Sequence, residues 1–117
     1  MNVGLDIGGT ISELPEFFVA LTKGLHALGH KVYILSFESP LGLSEVRQDL
    51  DQWGICYDEV LLLPDDADSA TWKGEVAGQL PLDVMVDDTL DLLQNMPPGV
   101  KCFWLRNGSG PDQDASG

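Results

Sequence analysis

Basic residues are scarce: six Lys plus Arg stand against 19 Asp plus Glu, a formal net charge of −13. A chain so charged repels phosphate backbones and anionic lipid, which argues against nucleic acid or a membrane surface as its main partner. Cysteine is nearly absent. Cys56 and Cys102 lie far apart, with no CxxC spacing and no histidine cluster to complete a zinc site, so both are expected as buried reduced thiols. No apolar run approaches the ~20 residues that span a bilayer. The opening MNVGLDIGGT has no basic segment ahead of an apolar one and places an acid at position 6, so no secretory signal is read and a cytoplasmic location is expected. What remains is a chain of 117 residues, 44% hydrophobic. That suits one domain with a real core, since domains commonly run to about 100–150 residues.

The apolar pattern switches period along the chain. Residues 2 to 7, NVGLDI, form a short β-prone run that stops at Gly8-Gly9, a tight backbone turn. Leu14, Phe17, Phe18, Leu21, Leu25 and Leu28 then recur at three- and four-residue steps, with Pro15 in the first turn, Ser12 as a cap and Gly29 as the stop. That is an amphipathic helix. KVYILSF, from Lys31 to Phe37, reads as a strand buried on both faces of a parallel sheet. Residues 43 to 53 suit a helix, with Leu43, Val46, Leu50 and Trp53 on one side and Gly54 as the stop, and Glu59 to Leu63 a third strand. A short helix is predicted over 70–79, weakened by Gly74 and Gly78 at about 1 kcal/mol each. Residues 82 to 86, LDVMV, predict a fourth strand ending at Asp87-Asp88; a brief helix near 89–95 and a strand from Val100 to Leu105 follow. Such alternation predicts a three-layer α/β/α doubly wound parallel sheet over residues 1–106, without a cap domain. The remaining residues, 107–117, carry nothing to bury and are expected to be a disordered tail.

Ligands of doubly wound sheets bind at the carboxyl ends of the strands. Asp6 ends the first strand, Ser36 lies in the second, and Asp87 and Asp88 end the fourth, so one rim is predicted to gather them all. Lys73, on the helix leading to the fourth strand, can reach the same rim on its long stem. Carboxylates gathered this closely repel unless a cation neutralises them, and hard oxygen ligands suit Mg²⁺. Asp6 can then attack phosphorus, with the metal and Lys73 balancing charge, Ser36 donating to a phosphoryl oxygen, and the backbone N–H groups of Gly8, Gly9 and Thr10 adding an anion cradle. Singly, each residue has a plainer reading: a turn or capping Asp, a satisfied core Ser, a surface Lys. It is their convergence that points to chemistry.

DIGGT, ILSF, a lone Lys and VDD, in that order and on those elements, resemble the four motifs of the haloacid-dehalogenase-like (HAD) superfamily. The resemblance spans about residues 1 to 106, and PEFFVALTKGLHALGHKVYILSF is similar to its small capless members. It implies a phosphohydrolase or phosphotransferase in which Asp6 is nucleophile and metal ligand, Ser36 the second-motif hydroxyl, Lys73 the third-motif lysine, and Asp87 with Asp88 the metal-binding acidic pair. Gly9 and Thr10, with Ser36 and Lys73, would bind phosphate. One departure matters: where family phosphatases carry a second aspartate two residues after the nucleophile, this chain has Gly8. The Gly8 carbonyl can still ligate Mg²⁺, but general acid-base catalysis, typically worth about 10²–10⁴-fold, is lost. The resemblance therefore implies a small phosphorylated substrate or phospho-ligand. The alternative is a catalytically degenerate module that binds metal or a phospho-ligand for regulation or protein interaction. Oligomeric state stays open.

Other features read as structural. His26 and His30 are four apart on the first helix without a third ligand, so they are expected to be solvated or capping, while Trp53, Trp72 and Trp104 are expected in core or rim packing. The acidic run from 65 to 68 lacks the Gly and closing Glu of an EF-hand loop. VGLDIGGT is also similar to the first phosphate loop of sugar-kinase and hexokinase-like ATPases, but there a second strand follows the glycines, and here a helical period does.

Overall fold

Where β-prone runs and helical periods alternate in the sequence, strands and helices alternate in the chain. The computed structural model describes residues 1–107. In order they form β1 (Asn2–Leu5), α1 (Pro15–Ala27), β2 (Lys31–Ser36), α2 (Leu43–Trp53), β3 (Glu59–Leu62), α3 (Trp72–Gln79), β4 (Val84–Asp87), α4 (Leu90–Gln94) and β5 (Lys101–Trp104). The five strands make one sheet in the order β3-β2-β1-β4-β5, parallel at every pairing.

Period-two alternation divides the core between the two faces of the sheet. On one face Val3, Leu5, Val32, Ile34 and Val86 pack with Phe18 of α1 and with Val46 and Leu50 of α2. On the other, Leu35 and Met85 pack with Trp72, Val76 and Ala77 of α3 and Leu93 of α4. The result is the three-layer α/β/α arrangement predicted from the sequence. Gly74, a weak helix former, has its reason in this second layer: a Cβ there would sit 3.0 Å from the carbonyl oxygen of Asn95. Its absence lets α3 lie close against the chain leaving α4.

Register places the site. Leu5 stands beside Ile34 and Val86, so β1, β2 and β4 end almost level, and the N–H of Asp6 donates to the carbonyl of Val86 (3.1 Å). The chain runs from β1 outward through β2 to β3, then crosses back to β4 on the other side of β1. The point where strand order reverses is the place where such sheets leave a crevice at their carboxyl ends.

Two expectations need correction. The apolar stripe of α1 is only partly buried: Phe18 is 1% exposed, but Phe17 is 53% and Leu28 76% exposed. Phe17, with Leu21 and Leu25, faces an open apolar groove shared with Val84, Val86, Phe103 and Leu105, because no helix among the described residues covers that side of β4 and β5. Neither thiol is buried, Cys56 being half-buried and Cys102 exposed, since Cys102 lies on the edge strand β5. The tryptophans divide between core and rim as expected: Trp72 is core, Trp53 half-buried, and Trp104 lies exposed at the rim. The expected tail lies outside the described residues except at its first position, Asn107, whose amide donates to the carbonyl of Gly9 (3.1 Å). Among the described residues no helix is long and apolar enough to cross a membrane.

Candidate functional site

Immediately after β1 the backbone turns sharply. Gly8 (φ −65, ψ 126) and Gly9 (φ 75, ψ −3) take the two central positions of a type II turn, whose second position needs positive φ. A Cβ on Gly9 would also overlap the Asp88 carboxylate. This turn halts the strand and holds Asp6 at its tip. From there Asp6, Gly8, Ser36, Lys73, Asp87 and Asp88 all line one cleft of about 830 Å³ at the carboxyl end of the sheet.

Its floor is an ion-pair network. Lys73 extends from α3 into the protein, where its ammonium donates to Asp6 Oδ1 (2.8 Å) and Asp87 Oδ2 (2.9 Å). Lys73 is 2% exposed and Asp87 0%. A buried ammonium survives only when paired this way, and removing one partner of a buried pair costs about 3–5 kcal/mol. The Phe37 ring lies 4.7 Å from the same ammonium and contacts Trp72. Thr10 Oγ1 donates to Asp6 Oδ2 (3.2 Å), and the N–H of Thr89 donates to Asp87 Oδ1 (3.0 Å). Both Asp87 oxygens are thus engaged. Asp88 presents its carboxylate with no ammonium or N–H partner among the described residues.

Carboxylate oxygens of Asp6, Asp87 and Asp88 lie within 4.8 Å of one another. Against these three negative charges the network sets one positive charge, that of Lys73. Burial pushes the Asp6 carboxyl up from 3.8 to about 6; Lys73 pulls it back down, and Asp87 and Asp88 add smaller rises. A deficit of two charges and an all-oxygen donor set fit a divalent hard cation such as Mg²⁺.

The other predicted contributors fall into two groups. Ser36, 6% exposed, opens into the cleft; its oxygen accepts from the N–H of Glu38 (3.2 Å), and its O–H has no protein acceptor among the described residues. Gly9 and Thr10 are not part of the cleft wall. The N–H of Gly9 donates to Ser12 Oγ (3.0 Å), and the Thr10 hydroxyl serves Asp6. The acidic run at 65–68 takes no part; Asp68 instead caps the chain entering α3, accepting from the N–H of Ala70 (3.0 Å). The histidines do not pair: His26 contacts Asp58 (3.0 Å), and His30 contacts the terminal amine (2.7 Å).

Several neighbours went unread in the sequence. The Trp104 indole donates to the carbonyl of Asp88 (3.0 Å), and Asn107 reaches back to Gly9, so β5 and the residues after it brace the two loops that carry the carboxylates. Glu38, Glu45 and Asp49 form a second acidic wall of the cleft. The four-residue step from Glu45 to Asp49 was the available signal for the pair on α2.

No family model and no curated protein matches this chain. Two solved structures share its fold. One, described as the structure of a Pnkp1/Rnl/Hen1 complex, superposes with a TM-score of 0.75 at 17% identity over 89% of this chain and 45% of that one. A second, a Pnkp1/Rnl/Hen1 RNA repair complex, gives 0.73 and 17% over 93% and 43%. This chain therefore spans less than half the length of those neighbours. At such identity the likeness speaks to the parallel α/β/α architecture alone.

Proposed function

We propose that the protein is a HAD-like, Mg²⁺-dependent phosphohydrolase or phosphotransferase working through an aspartyl-phosphate at Asp6. One observation carries this reading: the carboxylates of Asp6, Asp87 and Asp88 converge within 4.8 Å beside a buried lysine, at the switch point of a doubly wound sheet. A stable fold does not require such a cluster, and its uncompensated charge opposes folding. Asp6 and Asp88, with the Gly8 carbonyl, would hold Mg²⁺, and Asp87 would support it while fixing Lys73. Once bound, Mg²⁺ supplies positive charge against the phosphoryl oxygens.

The protein's own groups divide the work. The Ser36 hydroxyl and the Lys73 ammonium orient the phosphoryl group and take up charge in the transition state. An Asp6 carboxylate oxygen attacks phosphorus in line as the bond to the leaving oxygen breaks, the leaving group departing with that electron pair and taking its proton from solvent; water later displaces the Asp6 carboxylate from phosphorus and releases phosphate. Thr10 holds the carboxylate rotamer by its hydrogen bond to Oδ2. A small phosphorylated substrate fits the acidic cleft better than a polyanion does, so the RNA repair setting of the structural neighbours is not carried over. Gly8 favours a second reading, a binding module without turnover, because it removes the usual proton donor.

Release of phosphate from p-nitrophenyl phosphate separates the two. Mg²⁺-dependent release that disappears in Asp6→Asn supports the enzyme. Equal release by wild type and variant, with Mg²⁺ binding retained, supports the module.

A further inference from the structure

We propose that the open apolar groove between α1 and strands β4 and β5 is the seat of an amphipathic helix from a partner protein, one whose apolar stripe is flanked by lysine and arginine. The groove has a volume of about 400 Å³, every side chain lining it is hydrophobic, and it shares no residue with the carboxylate cleft. Nothing about it depends on phosphotransfer.

The floor continues a surface that is covered elsewhere. Register sets Val84 beside Val3, Val86 beside Leu5 and Phe103 beside Val86, so these side chains share the face of the sheet on which α1 and α2 lie. Under those helices Val3, Leu5, Val32 and Ile34 are 3% exposed or less. Over β4 and β5 no helix among the described residues completes the layer, and Phe103 is 59% exposed. Four of the nine exposed large hydrophobic side chains among the described residues, Met1, Phe17, Phe103 and Trp104, line this one groove. Exposed apolar residues gathered in this way mark an interaction site, whereas scattered single ones are ordinary surface.

The wall of the groove dictates the shape that fits it. One side of α1, with Phe18 and Thr22, is buried against the sheet. A second row runs Leu14, Phe17, Leu21, Gly24, Leu28, at steps of three, four, three and four, with Leu21 half-buried and the other four exposed. Steps alternating between three and four form the seam along which two helices pack side by side. Glycine weakens a helix interior, and no described neighbour requires one at position 24, where a Cβ would meet nothing within 4 Å. Its open space on the seam lets a second helix approach closely.

Two other occupants are disfavoured by their chemistry. Residues 108–117, GSGPDQDASG, bring one alanine and one proline but no larger aliphatic or aromatic side chain to fill such a groove. A second copy would set one net charge of −13 against another. The same charge attracts a basic partner and steers it into place. Amphipathic helices dock in apolar grooves through side chains at i, i+3, i+4 and i+7, which the groove and the seam of α1 together accommodate.

The test uses two synthetic helical peptides with the same leucine stripe, one with lysine and one with glutamate on the polar face, titrated into the full chain by calorimetry. The lysine peptide is expected to bind at least about tenfold tighter than the glutamate peptide. Two variants that leave the net charge unchanged locate the binding. Phe17→Gln/Phe103→Thr removes apolar side chains that are more than half exposed, and Gly24→Gln adds bulk on the seam while removing no contact. Each is expected to fold and to weaken the lysine peptide by at least about tenfold. Should the double variant fail to fold, Gly24→Gln decides alone. No binding of the lysine peptide to wild type, binding left unchanged by either folded variant, or equal binding of the two peptides overturns the proposal. So does a dimer in analytical ultracentrifugation that Gly24→Gln dissociates, since the groove would then belong to a second copy.

Discussion

Restoring a carboxylate at position 8 is the sharpest perturbation available. Gly8 sits at φ −65 and ψ 126, a conformation any L-residue adopts, and a Cβ there meets no atom within 4 Å. Gly8→Asp should therefore fold with little strain, within about 0.5 kcal/mol of the parent apart from the charge it adds. On the proposed mechanism it would place an acid beside the leaving group, and general acid catalysis is worth about 10²–10⁴-fold, or about 3–5 kcal/mol of barrier. That gain belongs to poor leaving groups; an aryl oxide that departs unaided should gain little. The assay is kcat for O-phosphoethanolamine against p-nitrophenyl phosphate, in wild type, Gly8→Asp and the near-isosteric Gly8→Asn. An increase of about 10²-fold or more on the alkyl ester alone, absent in Gly8→Asn, is expected. A rise shared equally by both esters, or by both variants, would refute the view that the missing group is a proton donor.

Lys73→Met should abolish turnover and, by leaving two buried carboxylates facing each other, lower stability by about 3–5 kcal/mol in metal-free chemical denaturation. Gly9→Ala should cost about 1–2 kcal/mol from positive φ alone and displace Asp88, so calorimetry should find Mg²⁺ affinity reduced at least about tenfold. Because the Asp6 carboxyl is raised from 3.8 to about 6, the folded state holds that proton more tightly than the unfolded chain does. Its contribution is full below 3.8 and lost as pH rises through about 6, so the metal-free protein should weaken across that window. Mg²⁺ then takes the proton's place, and the rise in Tm on adding Mg²⁺ should be larger at pH about 7.5 than at pH about 5. With no base at Gly8 to activate water, rapid quench should show a burst of p-nitrophenol before the steady rate.

The strands and their order of use were legible because apolar runs and turn residues carry that information locally. Asp6 and Asp87 were legible for the same reason: each closes a β-prone run, and a parallel sheet brings such ends together. Lys73 was harder to read, because α3 is short and glycine-bearing with little periodicity, so the inward direction of its side chain emerges only from the helix's seat on β4. Phe17 and Leu28 misled, since an apolar stripe records what a helix can bury, not whether a partner element is there to bury it against. The braces from Trp104 and Asn107 were invisible, because those contacts span 16 and 98 residues and depend on where β5 docks. Glu38, Glu45 and Asp49 went unread because, in a chain with 19 Asp plus Glu, little sets them apart from other acids.

The central claim is that Asp6 is the atom donor to phosphorus beside one bound Mg²⁺. A crystal structure with Mg²⁺ and beryllium fluoride tests it directly. A trifluoroberyllate bonded through beryllium to an Asp6 carboxylate oxygen, within reach of Ser36 and Lys73, is expected, with one metal ion touching Asp6 and Asp88. An adduct on another residue, or an ion seated away from Asp6, would contradict it.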